Sequence, residues 1–146
     1  MSVLLENKKA YFDFEIFDKY EAGISLSGAE VKSLRQKRGN LEGARVLIRG
    51  GEAYLLNMDI PPYQPKNQEG YDSSRTRRLL LQKEEILKLS SSETEKGLTI
   101  IPISIYNKGR FIKVSIALAR HKKKADKRET IKRREMEREI RRTLKR

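Results

Sequence analysis

Between Leu98 and Ala119 the chain alternates apolar and polar residues along two runs that a turn separates. Ile101, Ile103 and Ile105 lead in, Asn107-Lys108-Gly109 turns, and Ile112, Val114, Ile116 and Leu118 lead back. Period-two alternation places every second side chain on one face of a pleated strand, so the two runs form a hairpin with one apolar face. Pro102 has no amide to give to a ladder, so its position faces a sheet edge or a bulge.

The chain before this hairpin supplies further strands. Residues 11 to 17 alternate, with Phe12, Phe14 and Ile16 on one face and Tyr11, Asp13 and Glu15 on the other, as in a half-buried strand. A short strand with Ile24 and Leu26 inward comes after Gly23. Ala44 to Arg49 and Glu52 to Asn57 flank Gly50-Gly51, a two-residue connection that tolerates the positive dihedral angles of a hairpin turn. Helices are fewer. Ser27-Gly28-Ala29-Glu30 has the spacing of a capping box, and predicts a helix with Val31 and Leu34 inward, Lys32, Arg35 and Lys37 outward, and an end at Gly39. Lys83 to about Leu89 predicts a helix of two or three turns that Ser90-Ser91-Ser92 weakens. Pro61-Pro62-Tyr63-Gln64-Pro65 and the polar stretch Lys66 to Ser74 read as a surface loop. Six strands and two short helices within residues 1–119 predict an antiparallel barrel, because a sheet this small covers its apolar face best by closing on itself.

Residues 120–146 differ in kind. This tail holds fourteen Lys or Arg against five Asp or Glu, so it carries +9 of the formal +13. A single-sign segment lowers its energy by meeting a polyanion, and nucleic acid is the natural one. Glu129 with Arg133 and Glu137 with Arg141 are helical pairs in the favourable order, and Asp126 with Glu129 could cap a helix. The apolar residues are few: Met136, Ile140 and Leu144 make a thin stripe, and Ile131 falls elsewhere on the wheel. A helix so poor in apolar surface is marginal alone in water, so the tail is expected to be disordered in isolation and helical on a polyanion.

Several classes of function are disfavoured. The chain has no Cys, which excludes disulfides and thiolate metal sites. The N-terminus lacks the apolar core of a signal peptide, and the longest apolar stretch, Leu98 to Tyr106, is too short and interrupted for a membrane span. A soluble protein is expected. His121, the one histidine, stands among cations and reads as an RNA contact or a surface residue. Asp13 and Glu15 could hold a nuclease metal, but read more simply as a solvated strand face. No phosphate-binding glycine loop or nucleophile elbow is present. Neither a catalytic site, a metal nor a cofactor is expected. Cations cluster at Lys32 and Arg35, at Arg75, Arg77 and Arg78, and at Lys122, Lys123 and Lys124. With Tyr20, Tyr63, Tyr71 and Tyr106 near loops, they fit an RNA surface that combines phosphate contacts with stacking.

Strings along nearly the whole chain resemble small protein B (SmpB), the family that partners transfer-messenger RNA in bacterial ribosome rescue. They are Asn7-Lys8-Lys9-Ala10, Tyr20 to Ile24, Gly28 to Arg35, Pro62-Tyr63, Arg77 to Leu81, Lys83 to Ile86 and Asp126 to Glu129. The resemblance implies an oligonucleotide-binding-like (OB-like) closed barrel with two or three flanking helices and a basic tail, and a monomeric cytoplasmic binding protein rather than an enzyme. It implies that residues 1–119 hold the tRNA-like domain of transfer-messenger RNA (tmRNA) and deliver it to stalled ribosomes without an A-site codon. The tail would probe small-subunit ribosomal RNA at the decoding centre and the empty mRNA channel. On this reading the tmRNA surface comprises Glu30, Lys32, Arg35, Tyr106, Asn107, Lys122, Lys123 and Lys124. The ribosome-reading tail comprises Asp126, Lys127, Arg128, Ile131, Lys132, Arg133, Arg134, Met136, Arg138, Ile140 and Arg141. His121, Ala125 and Gln82 depart from the family's usual residues. A structural ribosomal protein and a nuclease built on Asp13 and Glu15 are the competing readings.

Overall fold

The structure, a computed structural model, describes residues 2–64 and 70–144. In chain order the elements are β1 (Ser2–Glu6), α1 (Lys8–Asp13), β2 (Phe14–Ile24), α2 (Gly28–Arg35), β3 (Arg45–Arg49) and β4 (Glu52–Leu56). They continue with β5 (Arg77–Leu80), α3 (Lys83–Lys96), β6 (Thr99–Lys108), β7 (Phe111–His121) and α4 (Lys124–Leu144).

The hairpin expected from alternation is β6–β7, turning at Gly109 with φ 61°. The β3–β4 hairpin turns at Gly50 and Gly51, both with positive φ, as a tight connection between twisted strands requires. Pro102 lies at a register shift between Pro102 and Ser104, so the missing donor is accommodated by a bulge. That bulge also re-sorts the strand. Ile100 and Ile105 face the main core, whereas Ile101 and Ile103 face a second cluster with Ala10, Ala117 and Ala119. The expected common face for Ile101, Ile103 and Ile105 is therefore split, because one extra residue moves the later side chains to the opposite side.

The closed barrel expected from the strand count does not form. Among the described residues the seven strands make one antiparallel sheet in the order β1-β6-β7-β2-β5-β4-β3, with β1 and β3 as its edges. Closure would need the edge strands β1 and β3 to pair with each other; β1 pairs with β6 alone, from Ser2↔Asn107 to Glu6↔Ser104, and among the described residues no ladder joins it to β3. The sheet is instead covered by helices. Leu34 of α2 and Leu89 of α3 seal the main core, while Ala10 of α1 seals the second.

Two further expectations change. Tyr11 to Asp13 lie in α1, not in a strand, because burial of Ala10 and the bonds of Asn7 to the bulged strand override local alternation. The Asn7 amide donates to the Ile103 carbonyl at 2.8 Å and its side-chain amide to the Pro102 carbonyl at 2.9 Å. A bulge in β2 between Ile16 and Lys19 then turns Phe14 and Ile16 to the second cluster and Tyr20, Ala22 and Ile24 to the first. Helix α3 runs through the three serines to Lys96, since Leu89 anchors its middle and Gly97 closes it in the left-handed region. The expected Lys66 to Ser74 loop falls partly on residues 65–69, outside the described residues; Ser73 and Ser74 lead directly into the segment before β5.

Candidate nucleic-acid interface

Helix α2 begins with the box its sequence predicts. The Glu30 amide donates to Ser27 Oγ at 3.2 Å, and the Ser27 amide donates to Glu30 Oε1 at 2.9 Å. The carboxylate does more than cap. Arg77 Nε donates to Glu30 Oε2 at 2.7 Å, and Arg75 grips both oxygens, with Nε to Oε2 at 3.2 Å and Nη2 to Oε1. Arg77 is fully buried and directs its remaining donors to the carbonyls of Met58 at 2.7 Å and Ser73 at 2.9 Å. Glu30 is 1% exposed, so it is the keystone that ties α2 to β5 and to the chain preceding β5. Burial pushes its carboxyl pKa up, but the Arg75 bonds, the Ser27 amide and Arg77 outweigh burial and hold it below the usual carboxylate value. Of the three arginines that precede the leucine run, Arg77 is thus withdrawn from solvent, while Arg75 keeps a 38% exposed side chain beside the same carboxylate.

The outer face of α2 is cationic and anchored. The Lys32 ammonium lies 5.4 Å from the centre of the Tyr63 ring, and Arg35 Nη2 donates to the Arg110 carbonyl in the β6–β7 turn at 3.2 Å. That turn brings up the next candidates. Tyr106 donates its hydroxyl to Glu21, which also meets Lys108 Nζ at 3.0 Å. Asn107 reaches Ser2 Oγ at 3.4 Å, while its Oδ1 is buried without a hydrogen-bond partner among the described residues. Burial first, then the bond to Glu21, raises the Tyr106 phenol pKa well above the ordinary value. The Tyr106 bond is in turn the largest influence lowering Glu21, with Lys108 second. Arg35 thus stands where α2 meets the β6–β7 turn, with Lys32 one turn back on the same helix and Glu30 buried at its start, whereas Tyr106 and Glu21, whose strand neighbours Ile105, Tyr20 and Ala22 face the main core, project from the other face of the sheet.

Lys122 and Lys123 lie elsewhere. They leave β7 at its other end, and eleven residues at roughly 3.4 Å each separate them from the turn by about 35 Å. Lys122 Nζ donates to the Tyr11 carbonyl at 3.0 Å and to Thr130 Oγ1 at 2.7 Å. The His121 ring packs on Phe14 with centroids 4.2 Å apart. Asp13 and Glu15 are not gathered for a metal: Asp13 faces Lys127 at 3.3 Å from α1, and Glu15 pairs with Arg120 at 2.7 Å from β2.

In α4, Arg128, Ile131, Lys132, Arg133, Arg134, Met136, Arg138, Ile140 and Arg141 are exposed and Lys127 is half-buried. Lys124 and Asp126 belong to the first turn, and their side chains lie outside the described residues. No local pattern signals the Arg77 burial, Glu21 as the partner of Tyr106, or the Arg110 carbonyl, since each contact joins residues tens of positions apart.

The chain has close relatives. The family model described as SmpB protein matches residues 4–146. The SsrA-binding protein of Sulfurihydrogenibium sp. is 51% identical over 143 residues, covering 98% of this chain and 94% of the relative. That of Thermosipho africanus is 50% identical over 147 residues, covering 100% and 99%. A solved structure described as "tmRNA-SmpB: a journey to the center of the bacterial ribosome" superimposes with a TM-score of 0.71 at 43% identity, over 85% of this chain and 87% of that one.

Proposed function

The chain belongs to the SmpB family, and from that premise we infer that it binds transfer-messenger RNA and serves trans-translation on the ribosome. The observation that carries this is the extent of the match, which runs from residue 4 to the last residue and includes both the body and the basic tail.

The division of labour rests on where the cations stand. Residues 1–119 form the RNA-holding body. Lys32 and Arg35 meet phosphates of the tRNA-like domain, and Tyr106 and Asn107 extend that surface around the β6–β7 turn. Glu30 supports it from beneath by fixing Arg75 and the start of α2. Residues 120–146 form the ribosomal arm, with Lys122, Lys123 and Lys124 at its root. Asp126, Lys127, Arg128, Ile131, Lys132, Arg133, Arg134, Met136, Arg138, Ile140 and Arg141 offer a long charged surface to small-subunit ribosomal RNA at the decoding centre and the vacant mRNA channel. Two surfaces about 35 Å apart let one small chain hold one RNA while it tests another. The protein works as a cytoplasmic monomer and a binding factor, not an enzyme. The pair a nuclease would need, Asp13 and Glu15, is already committed to Lys127 and Arg120.

A chain ending at Lys123, which keeps all of β7, tests the division. It should bind tmRNA within a fewfold of the full chain and fail to support tagging on stalled ribosomes. Loss of tmRNA binding by the shortened chain would refute the assignment of the body, and normal tagging would refute that of the tail. Sedimentation with every ribosome, stalled or not, would favour a structural ribosomal protein instead.

A further inference from the structure

Helix α2 closes on a residue its backbone does not favour. The Lys37 amide donates to the Leu34 carbonyl at 2.8 Å and the Arg38 amide to the Ser33 carbonyl at 3.1 Å, the paired bonds of a Schellman cap. That cap needs a left-handed residue, and Lys37 supplies it with φ 60°. Among the other described residues with positive φ, seven are Gly and one is Asn57, a type that tolerates this region, so Lys37 is the exception. Helix α3 closes at the corresponding place with Gly97, φ 63°. The conformation at residue 37 is imposed from both sides. Leu34 before it is fully buried, and beyond it Gly39 passes close to Leu5 while Asn40 bridges Asp59. Glycine would meet the same demand without strain, so what the lysine adds is its side chain.

That charge is not used within the body. Lys37 is exposed and forms no ion pair among the described residues, whereas Lys9, Arg78, Lys108 and Arg120 each face an acid. Its attraction to the negative end of the α2 dipole offsets only part of the left-handed penalty. Two residues back stands Arg35, whose guanidinium is fixed on the Arg110 carbonyl of the β6–β7 turn. A phosphate approaching Arg35 there meets the partial negative charge of the helix C-terminus, which a cation at position 37 cancels. We propose that Lys37 is a further phosphate-binding residue, kept on a strained backbone because its ammonium completes, with Arg35, a cationic end of α2 for the tRNA-like domain. The inference rests on the assignment of α2 to tmRNA and adds to that surface a residue the fold alone would replace by Gly. Such a contact strengthens binding whatever the base sequence, because it reads only the backbone.

The test compares the full chain with Lys37→Gly in binding to a transcript of the tRNA-like domain over a range of salt concentrations. Lys37→Gly should melt about 2–4 °C higher, because glycine relieves the left-handed strain, and yet bind more weakly. Removal of one phosphate contact should reduce the slope of log affinity against log salt by about one. The affinity gap between the two chains should therefore shrink about threefold between about 50 and 200 mM salt. Lys37→Asn, which tolerates the same backbone without a cation, should match Lys37→Gly in slope, and Lys37→Arg should keep the slope of the unsubstituted chain. A slope that Lys37→Gly leaves unchanged while the unsubstituted chain binds, or a melting temperature that the substitution lowers, would overturn the proposal alone. Failure of the unsubstituted chain to bind the transcript would overturn the assignment of the body to tmRNA, and this proposal with it.

Discussion

Glu30→Gln separates a cap from a keystone. The substitution keeps the size of the side chain and one acceptor oxygen for the Ser27 amide, which alone would make it mild. Its cost comes from the other oxygen. Replacing Oε2 by an amide NH₂ points a donor at Arg77 Nε, and the fully buried Arg77 cation loses the only carboxylate with which it forms an ion pair among the described residues. Breaking a buried pair from one side costs about 3–5 kcal/mol because the remaining charge stays buried and uncompensated. Removing the cap alone, Ser27→Ala, costs about 1 kcal/mol, and Arg75→Ala, which breaks a pair at a half-exposed guanidinium, costs about 0.2–1 kcal/mol. At about 4 °C per kcal/mol for a body of this size, Glu30→Gln should melt about 12–20 °C lower, well below either neighbour. Urea and thermal unfolding monitored by circular dichroism measure this directly. A loss no larger than that of Ser27→Ala would refute the keystone reading and return Glu30 to a simple cap.

The same residue fixes a pH signature and an RNA signature. Because the folded carboxyl is held below its unfolded value, its stabilisation is fully present above an unfolded pKa of about 4.5 and is lost as pH falls through the folded one. The gap between the unsubstituted chain and Glu30→Gln should therefore be constant above about pH 5 and shrink below it. A carboxylate only 1% exposed would act on a bound RNA only through what it holds. At a temperature where both chains are folded, Glu30→Gln should weaken tmRNA binding, and in an Arg75→Ala background it should add little further loss. A peptide of residues 120–146 should show little helix by circular dichroism in water and gain helix on polyuridylate, and high helicity without RNA would count against a conditional helix. Tyr106 should keep its proton well past pH 10, the ordinary phenol value, and its stabilisation, present below that value, should fade as pH rises through the higher folded one. Phenolate absorbance should lose its last-titrating component in Tyr106→Phe.

What the sequence made legible was local. Alternation located β6 and β7, paired glycines located the β3–β4 turn, and a three-residue spacing located the start of α2, because in each case the physical cause lies within a few residues of its effect. What it hid was decided across the chain. Ser2 to Glu6 carry no strong strand pattern, yet they pair with β6 as an edge strand of the open sheet, and Tyr11 to Asp13 alternate like a strand but turn helical over the Pro102 bulge. Register was equally opaque, since single extra residues in β2 and β6 move Ile16 and Ile105 to different cores from those their spacing predicts.

The candidate interface obeys the same rule, and it shows why charge in a sequence is a poor guide to charge on a surface. Arg75, Arg77 and Arg78 are neighbours in the chain and look interchangeable. In the fold Arg77 is buried against Glu30, Arg75 clasps that same carboxylate from the solvent side, and Arg78 pairs outward with Glu52. Glu30 is 45 and 47 positions from its arginine partners and three from its cap, so only the cap is visible in the sequence. A lone acid on a basic surface that binds a polyanion would repel its ligand. Buried beneath that surface, the same acid neutralises one arginine, aims a second, and leaves the outer face of α2 to the cations Lys32 and Arg35.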